Sequence, residues 1–182
     1  MLPRCDRSRP AVTADRAPNS GDGFITLADG TRRWGRFGAA GVLVRCACPD
    51  GSFDYFLARR SEYCHQGGTW AVPGGALNQG EDPLAGALRE FAEEVGVDLA
   101  DFAVVALHED DHGGWSYWTV IVDVPARFTA TVTNWETAEC AWIGQHVLDG
   151  LELLPPFRAT LARLGLLAAG QPPAGDSAES PL

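Results

Sequence analysis

Gly75-Ala-Leu-Asn-Gln-Gly-Glu81, followed by Arg89-Glu90-Phe91-Ala92-Glu93-Glu94-Val95-Gly96-Val97, is the stretch that decides the fold. It strings four glutamates and one arginine along a loop and a short predicted helix. Glu90, Glu93 and Glu94 stand at i, i+3 and i+4. At ~100° per residue they share one helix arc roughly 100° wide. Like charges on one arc repel unless a positive partner joins them, and a divalent cation is the simplest one. Ligands that are all oxygen select a hard ion, Mg²⁺ or, as the alternative, Mn²⁺. Taken alone, three glutamates at this spacing describe a solvated helix face more often than a site.

The far side of the same segment is apolar. Leu84, Leu88, Phe91 and Val95 follow the spacing of a core-facing stripe. Asp82 is a suitable N-cap and Pro83 fits the first turn. Gly96 is placed to close the helix in a left-handed cap. The predicted helix is therefore anchored by one face and offers acid on the other.

The whole pattern resembles the Nudix box: Gly, five residues, Glu, seven residues, Arg-Glu, a bulky apolar residue, any residue, Glu-Glu, any residue, Gly, a bulky apolar residue. Gly75, Glu81, Arg89, Glu90, Phe91, Glu93, Glu94, Gly96 and Val97 fill every fixed position. Trp70-Ala-Val-Pro73-Gly74-Gly75 resembles the strand that enters the box in that family. Trp135-Glu136-Thr-Ala-Glu139-Cys-Ala-Trp142-Ile143 resembles its later acidic segment. The resemblance extends over roughly residues 34 to 165, and much of that stretch is similar to actinobacterial members of the family.

The resemblance implies an α/β fold, the Nudix α/β/α sandwich with a mixed β-sheet between helices. It implies that water cuts a pyrophosphate in a nucleoside diphosphate linked to a group X. It casts Glu90 and Glu94 as metal ligands, Glu93 as ligand or proton acceptor, and the Gly74 carbonyl as a further ligand. Arg89 would orient Glu90; Glu81 would pair with Arg89 or support the outer shell, next to Gly75. Clustered carboxylates serve a polyanionic substrate only through bound cations, which also lower the pKa of bound water. A general base outside the box falls to Glu136 or Glu139, with Glu136 preferred.

An arginine contacts substrate near the end of the preceding strand in MutT-type relatives, and Arg59 is carried over from the Arg59-Arg60 pair. Trp34, Tyr63, His65, Trp115, Tyr117 and Trp118 form an aromatic set near predicted strand ends. Trp34, Trp115 and Tyr117 are expected to touch substrate, since stacking on a base is worth ~1–3 kcal/mol.

The box fixes the reaction and leaves X open. The proline of ADP-ribose pyrophosphatases is absent from Asp110-Asp111-His112-Gly113, and no Pro-Trp-Pro-Phe run marks an NADH enzyme. Tyr117 lies slightly beyond the tyrosine of dinucleoside polyphosphate hydrolases, and Ala76 stands where MutT-type enzymes often carry Lys. A Mg²⁺-dependent diphosphatase on a nucleoside triphosphate is the leading expectation. A dinucleoside polyphosphate or ADP-ribose-type pyrophosphatase and a non-catalytic nucleotide sensor remain as alternatives. A sensor usually shows eroded glutamates, and this box is intact. An isopentenyl diphosphate isomerase would need a catalytic cysteine and a histidine-containing metal site that the sequence does not offer.

The bulk properties agree with one soluble domain. The chain has 182 residues, 46% hydrophobic and 21% charged, which suffices for a buried core. No apolar run approaches the ~20 residues of a membrane span, and the start lacks a secretory h-region, so a cytoplasmic location is expected. A net charge of −10 argues against a nucleic-acid partner. All 14 basic residues are Arg, so any basic side-chain contact with phosphate is a guanidinium. Cys5, Cys46, Cys48, Cys64 and Cys140 do not form a secreted disulfide pattern. Cys46, Cys48, Cys64 and His65 lack the spacing of a zinc site, and buried thiols are the better reading. Many relatives dimerise, but no segment announces an interface.

Residues 1–22 read as a disordered arm, 23–169 as the Nudix domain and 170–182 as a disordered tail. Strands are predicted at 37–46, 53–60, 70–72, 102–108, 117–124 and 141–143, with Glu109 to Gly114 as a polar turn. Pro155-Pro156 opens a second predicted helix with Leu161, Leu164 and Leu167 on its apolar side.

Overall fold

Asp82 and Pro83 start the box helix as their chemistry dictates. In the computed structural model, which describes residues 19–167, helix α1 runs from Pro83 to Val95. Asp82 Oδ1 accepts the N–H groups of Leu84 at 3.0 Å and Ala85 at 3.3 Å, two donors the first turn leaves open. Gly96 ends the helix at φ 68°, with its N–H on the Ala92 carbonyl at 3.0 Å. The buried stripe is Ala87, Phe91 and Val95, with Leu84 packed at its edge. Leu88 is only half-buried, because the stripe is centred one position earlier than the leucines suggest.

Strands β1 (Phe24–Thr26) and β2 (Arg32–Trp34) form a separate antiparallel hairpin. The main sheet contains β3 (Ala39–Ala47), β4 (Phe53–Arg60), β5 (Trp70–Ala71), β6 (Gly74–Ala76), β7 (Ala103–Asp111), β8 (Ser116–Val124) and β9 (Thr137–Gly144). Its backbone order is β5-β4-β3-β8-β7, with β6 on β3 and β9 on β4. The β3–β8 pairing is parallel and the others are antiparallel, so the sheet is mixed. A 3-10 turn (Gln145–Gly150) leads to helix α2 (Pro155–Arg163).

Strand alternation divides the core in two. Phe56, Val120 and Val122 face α1 and meet Phe91 and Val95. Leu43, Tyr55, Leu57 and Ile121 face the other way and meet Phe157 and Leu161 of α2. The result is the α/β/α layering that the sequence implies.

Several local expectations are corrected. The β1–β2 hairpin and β6 are strands that three-residue segments cannot announce by periodicity. Glu109 to Asp111 continue β7 because they pair with Trp118 to Ser116, so the turn begins at His112. Leu164 and Leu167 lie past the end of α2 but still pack on the core beneath it. The expected arm lies outside the described residues up to position 18, and the expected tail lies wholly outside them. The last four residues of the arm, Asn19 to Asp22, are fixed to the box loop and its surroundings. Gly21 accepts from Arg36 N–H at 2.7 Å, and Gln79 N–H reaches the Asn19 carbonyl at 3.0 Å. No helix among the described residues is long and apolar enough to cross a membrane.

Candidate active site

The sheet splits to make room for the site. Strands β3 and β4 pair only through Val44–Ala47 and Phe53–Phe56. Beyond that, Ala39 to Gly41 pair with β6, and Ala58 and Arg59 pair with β5. The segment from Trp70 to Ala76 thus fills the gap, and Val42 N–H holds the Pro73 carbonyl at 3.0 Å. The approach is close: a Cβ on Gly74 would collide with Ala40 and Gly41 backbone, and one on Gly75 would collide with the Glu90 carboxylate. Space alone requires glycine at position 74, where the obstacle is backbone, whereas a side chain at position 75 would displace the Glu90 carboxylate.

Arg89 organises the acids. Its Nε and Nη2 grip both oxygens of Glu81, at 2.8 and 2.9 Å. Nη2 also donates to the Ala76 carbonyl at 2.9 Å, and Nη1 to Glu90 Oε1 at 2.7 Å and Glu93 Oε1 at 3.4 Å. All five guanidinium N–H groups thus have acceptors. Glu81 accepts Asn78 N–H at 2.8 Å as well, and these bonds hold its carboxyl below the usual range. The fork ties the loop, β6 and α1 into one unit, which a lysine could not do.

Glu90 and Glu94 differ from Glu81 in lacking that compensation. Burial pushes Glu90 up, against the pull of Arg89, with Glu93 and Asp22 adding to the rise. Glu94 accepts one hydrogen bond, from Gly74 N–H at 3.3 Å. Burial pushes its carboxyl up to about 8, and the charges of Glu90 and Glu136 reinforce the shift. Among the described residues no three His, Cys, Asp or Glu side chains already close on a common point. Glu90 is instead engaged by Arg89, and Glu94 by Gly74. Two enclosed, oxygen-only donors whose charge is not fully offset fit a hard divalent cation. Glu93 lies beside them with its side chain 62% exposed.

Glu136 is exposed at the start of β9, and its charge reaches Glu94 and Cys64. Its backbone is fixed: Asn134 Oδ1 accepts its N–H at 3.0 Å, and its carbonyl accepts Ser61 N–H at 2.7 Å. Of the four expected substrate contacts, Tyr117 feels the charges of Glu94 and Glu90, whereas Arg59, Trp34 and Trp115 are engaged elsewhere. Arg59 is opposite Glu139 in the β4–β9 register and donates to it at 2.9 Å. Trp34 makes an edge contact with Phe24 inside the β1–β2 hairpin, at 5.0 Å. Trp115 binds the Gly35 carbonyl through Nε1 at 2.8 Å and joins that hairpin to the β7–β8 turn. Tyr117 packs on the α2 side of the sheet, because it shares the parity of Ile121 rather than that of Trp118.

Arg60 is the residue the sequence reading passed over. It sits at the irregularity where β4 leaves its register with β9, and its Nε donates to the His65 carbonyl at 3.1 Å. Its charge is felt by Glu94, Tyr117 and Cys64, and among the described residues no carboxylate pairs with it. Glu139 opposite Arg59 leaves the next arginine free, a pairing that only the β4–β9 register reveals. The four zinc candidates are separated. Cys46 and Cys48 lie at the β3–β4 turn and Cys64 and His65 beyond the other end of β4, eight residues and roughly 25 Å of strand away.

The Nudix domain profile matches residues 37–164. The chain is 36% identical over 179 residues to the Mycobacterium tuberculosis protein named "Putative 8-oxo-dGTP diphosphatase 3", covering 94% of this chain and 79% of that one. It is 35% identical over 159 residues to a nucleoside triphosphate pyrophosphatase/Nudix hydrolase fusion protein of Bifidobacterium longum, covering 83% of this chain and 33% of that protein. Among solved structures, the Nudix hydrolase RenU of M. smegmatis superposes with a TM-score of 0.72 at 37% identity, over 80% of this chain and 93% of that one. A Caenorhabditis elegans Ap4A hydrolase in a binary complex shares the fold, with a TM-score of 0.55 at 16% identity. A profile match over most of the chain, on this split sheet and this acidic helix, makes the protein a member of the Nudix hydrolase family.

Proposed function

We propose that the protein is a Mg²⁺-dependent diphosphatase acting on a nucleoside triphosphate. The observation that carries the proposal is the pairing of Glu90 and Glu94, enclosed beside Gly74 and Gly75 without a full counter-charge. Glu90, Glu94, Glu93 and the Gly74 carbonyl would hold the cation. When bound, Mg²⁺ supplies charge for the phosphate oxygens and acidifies water. Arg89 fixes the Glu90 carboxylate, and Glu81 fixes Arg89. Glu136 takes the proton from the attacking water. The water oxygen bonds to phosphorus, the α–β bridging P–O bond breaks, and the leaving group, pyrophosphate or nucleoside monophosphate according to the phosphorus attacked, carries off the electron pair. Arg60, rather than Arg59, binds a phosphate oxygen, since its outer N–H groups have no acid to satisfy them.

The choice of a triphosphate rests on the Mycobacterium tuberculosis relative named for 8-oxo-dGTP, which matches 94% of this chain. Ala76 in place of the MutT lysine leaves the base unspecified. The test is phosphate and pyrophosphate release with Mg²⁺ from dGTP, 8-oxo-dGTP, the other nucleoside triphosphates, ADP-ribose, dinucleoside polyphosphates and NADH. Turnover of triphosphates with pyrophosphate release is expected. Binding without turnover of any member would replace the enzyme with a nucleotide sensor.

A further inference from the structure

Two large aromatic side chains stand open beside Glu136. Trp135 is 69% exposed and Tyr63 is 90% exposed. Among the described residues neither ring makes an aromatic, cationic or hydrogen-bonding contact. Their backbones, by contrast, are held firmly. Thr133 N–H donates to the Glu94 carbonyl at 3.2 Å, Thr133 Oγ donates to the Glu93 carbonyl, and Thr131 N–H donates to Val95 at 3.2 Å. Asn134 Oδ1 accepts the N–H groups of Glu136 and Thr137, each at 3.0 Å, which wraps a tight turn around Trp135. The Tyr63 loop joins the same point: Ser61 N–H and the Cys64 thiol both donate to the Glu136 carbonyl, at 2.7 and 3.6 Å.

Both rings are thus mounted on the backbone junction that positions Glu136 and is bolted to the last turn of α1. Ordering these loops costs conformational entropy, and the small part of each side chain that is buried returns little of it within the monomer. A flat ligand that stacks on an open ring would return it. Phosphate held at Glu90 and Glu94 leaves its nucleoside to extend toward the rim, where Arg60 also lies. Every nucleobase has a π-face, and stacking on open aromatics is tolerant of sequence.

We infer that Trp135 and Tyr63 form the nucleobase-binding rim of this site. This inference rests on the proposed phosphoanhydride reaction at the adjacent carboxylates. Trp135→Ala and Tyr63→Ala, singly and together, are tested against wild type with dGTP and 8-oxo-dGTP, and with inorganic tripolyphosphate as competitor. KM is expected to rise about 10- to 100-fold in the double variant while kcat stays within about twofold. The inhibition constant of tripolyphosphate is expected to stay unchanged, and Trp135→Phe to recover most of the loss. An unchanged KM, or a parallel weakening of tripolyphosphate, would overturn the inference. If wild type turns over no phosphoanhydride, the reaction falls and the rim is judged by calorimetric affinity for dGTP. Tighter binding to wild type than to Trp135→Ala sustains the rim, and equal affinity removes it.

Discussion

Glu94→Gln is expected to abolish activity and, in chelator, to stabilise the protein. The folded carboxyl titrates at about 8 against an ordinary value of 4.5. Below pH 4.5 both folded and unfolded chains hold the proton, and burial costs nothing electrostatic. As pH rises from 4.5 to 8 the unfolded chain loses that proton and the folded one keeps it, so stability falls; above about 8 the loss is complete. At ~1.4 kcal/mol per pH decade the loss from Glu94 is about 3 kcal/mol at pH 7 and about 5 kcal/mol above pH 8. Glutamine removes this charge and keeps an oxygen for Gly74 N–H. Thermal unfolding in chelator, compared between wild type and Glu94→Gln from pH 5 to 9, isolates the difference. A Tm advantage of roughly 6–12 °C at pH 7 is expected for the variant, from ~2–4 °C per kcal/mol. Excess Mg²⁺ raises wild type and leaves the variant nearly unmoved, and its affinity for wild type increases toward pH 8 as the proton is displaced. A variant less stable than wild type in chelator at pH 8, or an unchanged pH slope, would refute the reasoning.

Gly75→Ala forces a methyl group into the Glu90 carboxylate and should lower kcat about 100-fold with circular dichroism unchanged; normal turnover would show that Glu90 tolerates displacement. Arg60→Gln should raise KM about tenfold, whereas Arg59→Gln should change it less than twofold, and equal effects on KM would return the phosphate contact to the strand end as a whole. Asp82→Ala removes two N-cap hydrogen bonds and should cost about 1 kcal/mol in denaturant unfolding while leaving kcat intact.

The helix, its caps and its acidic arc could be read from the chain because each depends on residues within one or two turns. Asp82, Pro83 and Gly96 act on the backbone next to them, and Glu90, Glu93 and Glu94 need only the helical period to converge. The long strands β3, β4 and β8 were legible for the same reason, through runs of apolar and β-branched residues. The short strands β1, β2, β5 and β6 span two or three residues each, too few for an alternation to show, so local pattern weakly marks or misses them. The rim residues Tyr63 and Trp135 were legible as aromatics but not as neighbours, since 75 and 72 positions separate Ser61 and Cys64 from their shared partner, the Glu136 carbonyl.

The sequence by itself determined the reaction family, because the nine fixed positions of the box encode a loop, a helix and a charge arc that any compatible fold must present. Tertiary structure alone decided which arginine is free, which aromatics are open and how far burial raises Glu94. Each of these depends on cross-strand register and on exclusion of water by distant segments, and neither is written in local spacing.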